Sequence, residues 1–231
     1  MASWTGVLPA RMLASPADIV ATGWGLTITG VLPHHLLISL LRVLAGLAMG
    51  IGLGGALGLV AGLSRSGEAL VDPPLQALRT LPFLGLVPLF ILWFGIGEAP
   101  KLALVAMGAL FPFYLNLVSG IRNADQGQID AGLALGLDRW QLVRHVILPC
   151  AWTPALVGLR QSIGVAWLSL VVGEQVNAQS GIGFLIADAR DFLRTDVIVV
   201  GLLVYALLGL ASDALVRSLE HRVRRWREHA V

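Results

Sequence analysis

Lysine is nearly absent from this chain: Lys101 is the only one among 231 residues, set in Pro100-Lys101-Leu102. A P-loop needs a lysine at the end of a glycine-rich turn to hold nucleotide phosphates, so the chain has no such site. If it drives anything against a gradient, the energy enters through another protein. Cys150 is the only cysteine, which excludes an intrachain disulfide, and its place beside Pro149 suits a small packing residue. His-Glu-x-x-His and paired Cys/His spacings are missing. The five histidines (His34, His35, His145, His221 and His229) are scattered at span ends and in the tail. The sequence therefore offers no metal site, no cofactor site and no acid–base or nucleophile cluster of an enzyme. Charge is scarce too. Charged residues make up 13% of the chain, against about 25% in a soluble domain. Sixteen Lys+Arg against fourteen Asp+Glu is close to balance and does not suggest nucleic-acid binding.

What is abundant is apolar surface: 56% of residues are hydrophobic and the mean hydropathy is +0.80. Apolar runs of about 20 residues read as membrane-spanning helices, because lipid offers backbone polar groups no partner outside the helix. The spacing predicts five spans, near 36–63, 75–95, 101–121, 152–173 and 197–215, with a polar connection at 64–74. Residues 1–35, interrupted by Pro9, Pro16 and Pro33, read as an N-terminal extracytoplasmic or interfacial segment whose apolar part, 19–32, is short for a span. Residues 1–17 lack the continuous apolar core of a cleavable signal. Residues 36–216 then form one all-α domain, a polytopic membrane helical bundle, and 217–231 a basic tail with five arginines.

Two patterns refine this. Gly46, Gly50, Gly54, Gly58 and Gly62 recur at every fourth residue of the first span. Such a small-residue ridge lets backbones approach closely in lipid, so this helix is expected to pack against another span of its own chain. Placing 64–74, 122–151 and the tail on one side, with Arg79 and Arg160 counted there, gives that side eleven cationic residues against four opposite. The positive-inside rule then puts those segments and the C-terminus in the cytoplasm and the N-terminus outside.

The longest interior run unfit for a membrane is 130–149, DAGLALGLDRWQLVRHVILP. It reads as two short helices. Leu133 and Leu135 belong to the first, which Gly136 breaks. Asp138 caps the second, with Gln141 completing a capping box. Trp140, Val143 and Ile147 form one apolar stripe, and Pro149 is expected to stop the helix.

The order Asp130-Ala131-Gly132, three residues, Gly136, nine residues, Val146-Ile147-Leu148-Pro149 resembles the "EAA" loop of ABC-importer permeases. That pattern is Glu-Ala-Ala, x3, Gly, x9, Ile-x-Leu-Pro; Asp130, Gly132 and Val146 are the departures. Gly132 costs the local helix up to about 1 kcal/mol. Further phrases resemble the aliphatic-sulfonate, taurine and nitrate branch of these binding-protein-dependent importers. They are Ser39-Leu40-Leu41-Arg42, Leu92-Trp93-Phe94-Gly95-Ile96-Gly97-Glu98, Gly164-Val165-Ala166-Trp167, Ser180-Gly181-Ile182-Gly183 and Phe192-Leu193-Arg194-Thr195-Asp196-Val197. The resemblance implies a five-span type-I permease core with two cytoplasmic coupling helices. It also implies a permease homodimer in the bacterial inner membrane, two ATP-binding subunits and an extracytoplasmic solute-binding protein. The coupling helices would seat Asp130, Ala131, Gly132, Gly136, Trp140, Val146, Leu148 and Pro149 in a groove of the ATPase. Members usually carry a further span before the Ala14-Ser15-Pro16-Ala17 entry; the sequence given begins just ahead of it.

Intramembrane charges are functional candidates by default. Arg42 and Arg160 are the candidates to meet an anionic solute, against helix-end snorkelling or a packing salt bridge. Trp93 and Phe94 are candidates to line the path, against an interfacial aromatic belt. Glu98 and Glu174, read on the outer side, are candidates to dock the binding protein, against simple solvation. The alternative for the whole chain is a membrane scaffold or receptor subunit that recruits a cytoplasmic partner without transport.

Overall fold

The computed structural model describes residues 14–228. The reading of 1–17 as free of a cleavable signal falls largely on residues 1–13, outside that range. Helix α1 (Pro16–Ile28) starts where Ser15 and Asp18 exchange backbone and side-chain bonds in a capping box, with Pro16 in its first turn. Gly30, at φ 78°, then turns the chain into α2 (Val31–Leu63), 33 residues long and so about 50 Å at 1.5 Å per residue.

The bundle is organised around α5 (Ala99–Arg122), whose buried residues run its whole length. Helix α2 lies parallel to it in a fixed register. A Cβ added to Gly46 would fall 2.6 Å from Val105, one on Gly50 2.4 Å from the Ala106 carbonyl oxygen, and one on Gly62 2.7 Å from Ile121. The glycine ridge thus meets α5, as its spacing predicted. On the other side α8 (Leu148–Asn177) runs antiparallel: Gly158 sits against Asn116, Gly120 against Pro154, and the Ser162 hydroxyl donates to the Ala109 carbonyl at 2.6 Å. That bond lies in the turn disturbed by Pro112, where an interhelical donor is useful. Helix α10 (Thr195–Glu228) returns along α8, with Trp167 donating to Ser212. The short α9 (Ile182–Asp191) tucks between α8 and α10, its Ile182 and Ile186 packing under Gly201.

Among the described residues, four helical stretches are long and apolar enough to cross a membrane: Val31–Leu63, Ala99–Arg122, Arg139–Val176 and Thr195–Ser218. The predicted second span, 75–95, is not one helix. The chain returns between the two ends as α3 (Arg65–Thr80), a 3-10 turn (Phe83–Leu86) and α4 (Val87–Phe94). Most of the expected polar connection 64–74 is the start of α3, capped by Ser64. The break falls at Leu81, which is extended, the conformation that the Pro82 ring favours for its predecessor. The Tyr114 hydroxyl donates to Asp72 and Arg122 to Glu68, tying α5 to α3.

Candidate functional site

Two polar assemblies stand at opposite ends of the bundle. At one end lies an elbow built from α6 (Gln126–Ala134) and α7 (Arg139–Leu142). Helix α6 stops in a Schellman turn. Leu137 N–H donates to the Gly132 carbonyl at 3.1 Å and Gly136 N–H to the Leu133 carbonyl at 3.0 Å, with Gly136 at φ 78°. Glycine holds that left-handed position without the strain of a Cβ. The expected capping box is present: Gln141 N–H donates to Asp138 Oδ1 at 2.7 Å and Asp138 N–H to Gln141 Oε1 at 2.9 Å. Gly132 is buried, and an added Cβ would lie 2.9 Å from Leu142 Cδ1 and 3.2 Å from Leu137 Cδ1. The departure from alanine at 132 therefore lets the second helix close on the first.

One expectation for this loop is corrected. Pro149 does not stop the helix; it occupies the first turn of α8, where a missing N–H costs little. One π turn (Val143–Ile147) joins α7 to α8. Of the apolar stripe, Val143 and Ile147 are half-buried. Trp140 is 70% exposed and Leu142 takes the buried position. The elbow's outer surface shows Asp130, Ala131, Leu133, Leu135, Gly136 and Trp140, while Val146 and Leu148 are half-buried at its base.

At the other end, near the starts of α2 and α5, is a buried charged hub. Glu174 was expected on the outer surface as a docking residue; its side chain is 0% exposed. It accepts from the Ser39 hydroxyl at 2.9 Å, Arg42 Nη1 at 2.8 Å, Gly183 N–H at 2.9 Å and the Tyr205 hydroxyl at 3.2 Å. Three backbone N–H groups opening α9 are satisfied in turn. Gly181 donates to His35 Nδ1, Ile182 to Ser39 Oγ and Gly183 to Glu174, each at 2.9 Å. A carboxylate here faces the positive end of the α9 dipole. The glycines of Ser180-Gly181-Ile182-Gly183 are needed for this contact: a Cβ on Gly181 would lie 2.2 Å from Glu174 Oε1.

Arg42 is fully matched. Its Nη1 also donates to the Ser180 carbonyl at 2.6 Å, and Glu98 takes Nε and Nη2 at 2.5 and 2.7 Å. Glu98 stands just before α5, 57% exposed, and is joined by Lys101 Nζ at 3.1 Å. The Arg42 hydrogen bonds, helped by Lys101, hold the Glu98 carboxyl at about 2, well below its ordinary range. Trp93 and Phe94, 63% and 54% exposed, lie near this end against Phe90. Arg160 is paired with Asp213, which also holds Arg217. The sequence reading missed Ser39, Tyr205, Gly183 and Asp213. Ser39 and Arg42, three residues apart in an apolar span, were the available signal for a polar face.

Long apolar helices around a central one, with an exposed two-helix elbow at one end, make a multi-pass membrane helical bundle. Residues 46–225 match the family described as "Binding-protein-dependent transport system inner membrane component", and the chain belongs to that family. The putative aliphatic sulfonates transport permease protein SsuC of Escherichia coli K12 is 48% identical over 98% of this chain and 86% of its own length. The protein of the same name from Bacillus subtilis 168 is 43% identical, over 96% and 80%. The taurine transport system permease protein TauC of Escherichia coli K12 is 35% identical, over 84% and 70%. Among solved structures, an amino acid ABC transporter crystallised with histidines shares the fold at TM-score 0.73 and 18% identity, over 91% of this chain and all of that one. The inward-facing MetNI methionine ABC transporter does so at 0.61 and 20%, over 78% and 92%. The chain is thus an ABC permease subunit and not an enzyme; ATP hydrolysis lies on a separate subunit.

Proposed function

We propose that this chain forms the translocation path of an ATP-driven importer for a small organic anion, an aliphatic sulfonate or taurine before nitrate or a pyrimidine precursor. The elbow carries the reading. Two helices locked at a fixed angle present Asp130, Leu133, Leu135 and Trp140 outward, and this chain has no P-loop of its own. A foreign motor has to push on something rigid, and the elbow is rigid at its turn, its cap and its Gly132 contact. In this reading the elbow and the C-terminus are cytoplasmic in the bacterial inner membrane, and two ATP-binding subunits engage the elbows of a permease homodimer. A solute-binding protein docks at the opposite end, where Glu98, Trp93 and Phe94 are exposed. Arg42 and Glu174 hold that end together, and Arg160 is braced by Asp213. The names of the relatives at 48%, 43% and 35% identity support the substrate class.

The test is uptake of radiolabelled ethanesulfonate and taurine by cells lacking this chain and by cells with it restored. Trp140→Cys is labelled in parallel with a membrane-impermeant thiol reagent. The reading expects uptake only with the chain present, and labelling only from the cytoplasmic face. Equal uptake without the chain, or labelling from outside, overturns it.

A further inference from the structure

Several cations on the helices of this bundle are paired with carboxylates. Arg42 pairs with Glu98 and Glu174, Lys101 with Glu98, Arg122 with Glu68 and Arg160 with Asp213. Arg79 ends the last turn of α3, and among the described residues no carboxylate lies within ion-pair distance of it. Counted with the loop end from sequence, it stands instead beside the break in the second passage, at Leu81. There it lines a cavity of about 270 Å³ walled by Phe111, Leu115 and Asn116 of α5 and by Gln161 and Val165 of α8. Helix α5 spans Ala99–Arg122 and α8 spans Leu148–Asn177, so these walls sit at mid-height of both.

The cavity is chemically asymmetric. No acidic side chain lines it. Asn116 Nδ2 donates to the Pro112 carbonyl at 2.8 Å and to Gln161 Oε1 at 3.0 Å. With that oxygen engaged, the Gln161 amide nitrogen remains as a donor without a partner among the described residues. Arg79 and Gln161 thus line the same space, among mostly apolar walls that include Leu81, Phe111, Leu115 and Val165. An uncompensated cation at mid-membrane depth is costly, and a partner that arrives from outside the chain removes that cost.

We propose that Arg79 and Gln161 form the transit site for the anionic head of the solute, an oxyanion such as a sulfonate, with its short aliphatic part against the apolar walls. The guanidinium fork suits two oxygens of such a head. Arg42 and Arg160 are poorer hosts, because an anion there displaces a carboxylate already in place. This rests on the anion-permease reading above.

The experiment reconstitutes the full transporter (permease, ATP-binding subunits and solute-binding protein) in proteoliposomes and measures initial uptake of radiolabelled ethanesulfonate. Arg79→Gln is expected to lower the rate roughly tenfold or more, the scale of one lost charge-assisted hydrogen bond. Arg79→Lys is expected to recover a large part of it, and Gln161→Leu to lose several-fold. Co-purification with the ATP-binding subunits reports assembly. Assembled Arg79→Gln complexes with wild-type uptake overturn the site and leave the anion reading standing. Wild-type vesicles that take up no sulfonate overturn that reading and the site with it. If Arg79→Gln does not assemble, Gln161→Leu decides, and wild-type uptake by it overturns the site.

Discussion

Glu174 and Arg42, 132 positions apart in the chain, meet at 2.8 Å with side chains 0% and 6% exposed. Their bond closes a ring of contacts joining α2, α8, α9 and α10. Removing one partner of a buried pair leaves an uncompensated charge, at about 3–5 kcal/mol. Glu174→Ala should therefore lower the thermal midpoint of detergent-purified protein far more than Glu98→Ala, whose carboxylate is half in solvent. Equal, small shifts would show that the hub contributes little.

The Arg42 hydrogen bonds give the hub a pH dependence. Glu98 falls from 4.5 to about 2 on folding, so its contribution is complete above 4.5 and lost as pH drops through about 2. The thermal midpoint of the wild type should fall more steeply between those values than that of Glu98→Gln. Parallel curves would count against the bond.

The glycine ridge separates structural from incidental glycines. A Cβ on Gly50 would press 2.4 Å from the Ala106 carbonyl, whereas one on Gly52 meets nothing within 4 Å. Gly50→Ala should destabilise by about 1–3 kcal/mol through overpacking. Gly52→Ala should be neutral or stabilise by up to about 1 kcal/mol. Thermal unfolding of the two variants side by side checks the register of α2 on α5.

Leu193 holds φ 56° in the turn after α9, the one non-glycine residue in that conformation among those described, and is 74% exposed. Its Schellman bonds, Leu193 N–H to Arg190 and Arg194 N–H to Ala189, match those at Gly136. Leu193→Gly should stabilise the protein by roughly 0.5–1 kcal/mol by removing the Cβ clash. A loss of stability would mean that the exposed side chain has a partner worth more than the strain.

What could be read in advance was local or periodic. The ridge from Gly46 to Gly62, the Asp138–Gln141 box and the break at Gly136 are each set within a few residues, and each is found. Arg42, Glu98 and Glu174 were each singled out, but their meeting in one hub could not be read, for the opposite reason. Glu174 meets Ser39 across 135 positions, and nothing near either residue announces the other. Pro149 misled because proline ends one helix and begins another with equal ease, and only the π turn before it decides which. Arg79, counted with the loop end from the sequence, ends α3 just before the break at Leu81, and no local pattern announces that break's neighbours on α5 and α8.

The central claim is that a rigid elbow transmits a partner's motion, and Gly136 tests it most directly. At φ 78° a β-branched side chain is strained although nothing lies within 4 Å. Uptake of labelled ethanesulfonate should collapse in cells carrying Gly136→Val, while the amount of chain in the membrane stays at the wild-type level. Wild-type uptake by that variant would contradict the account.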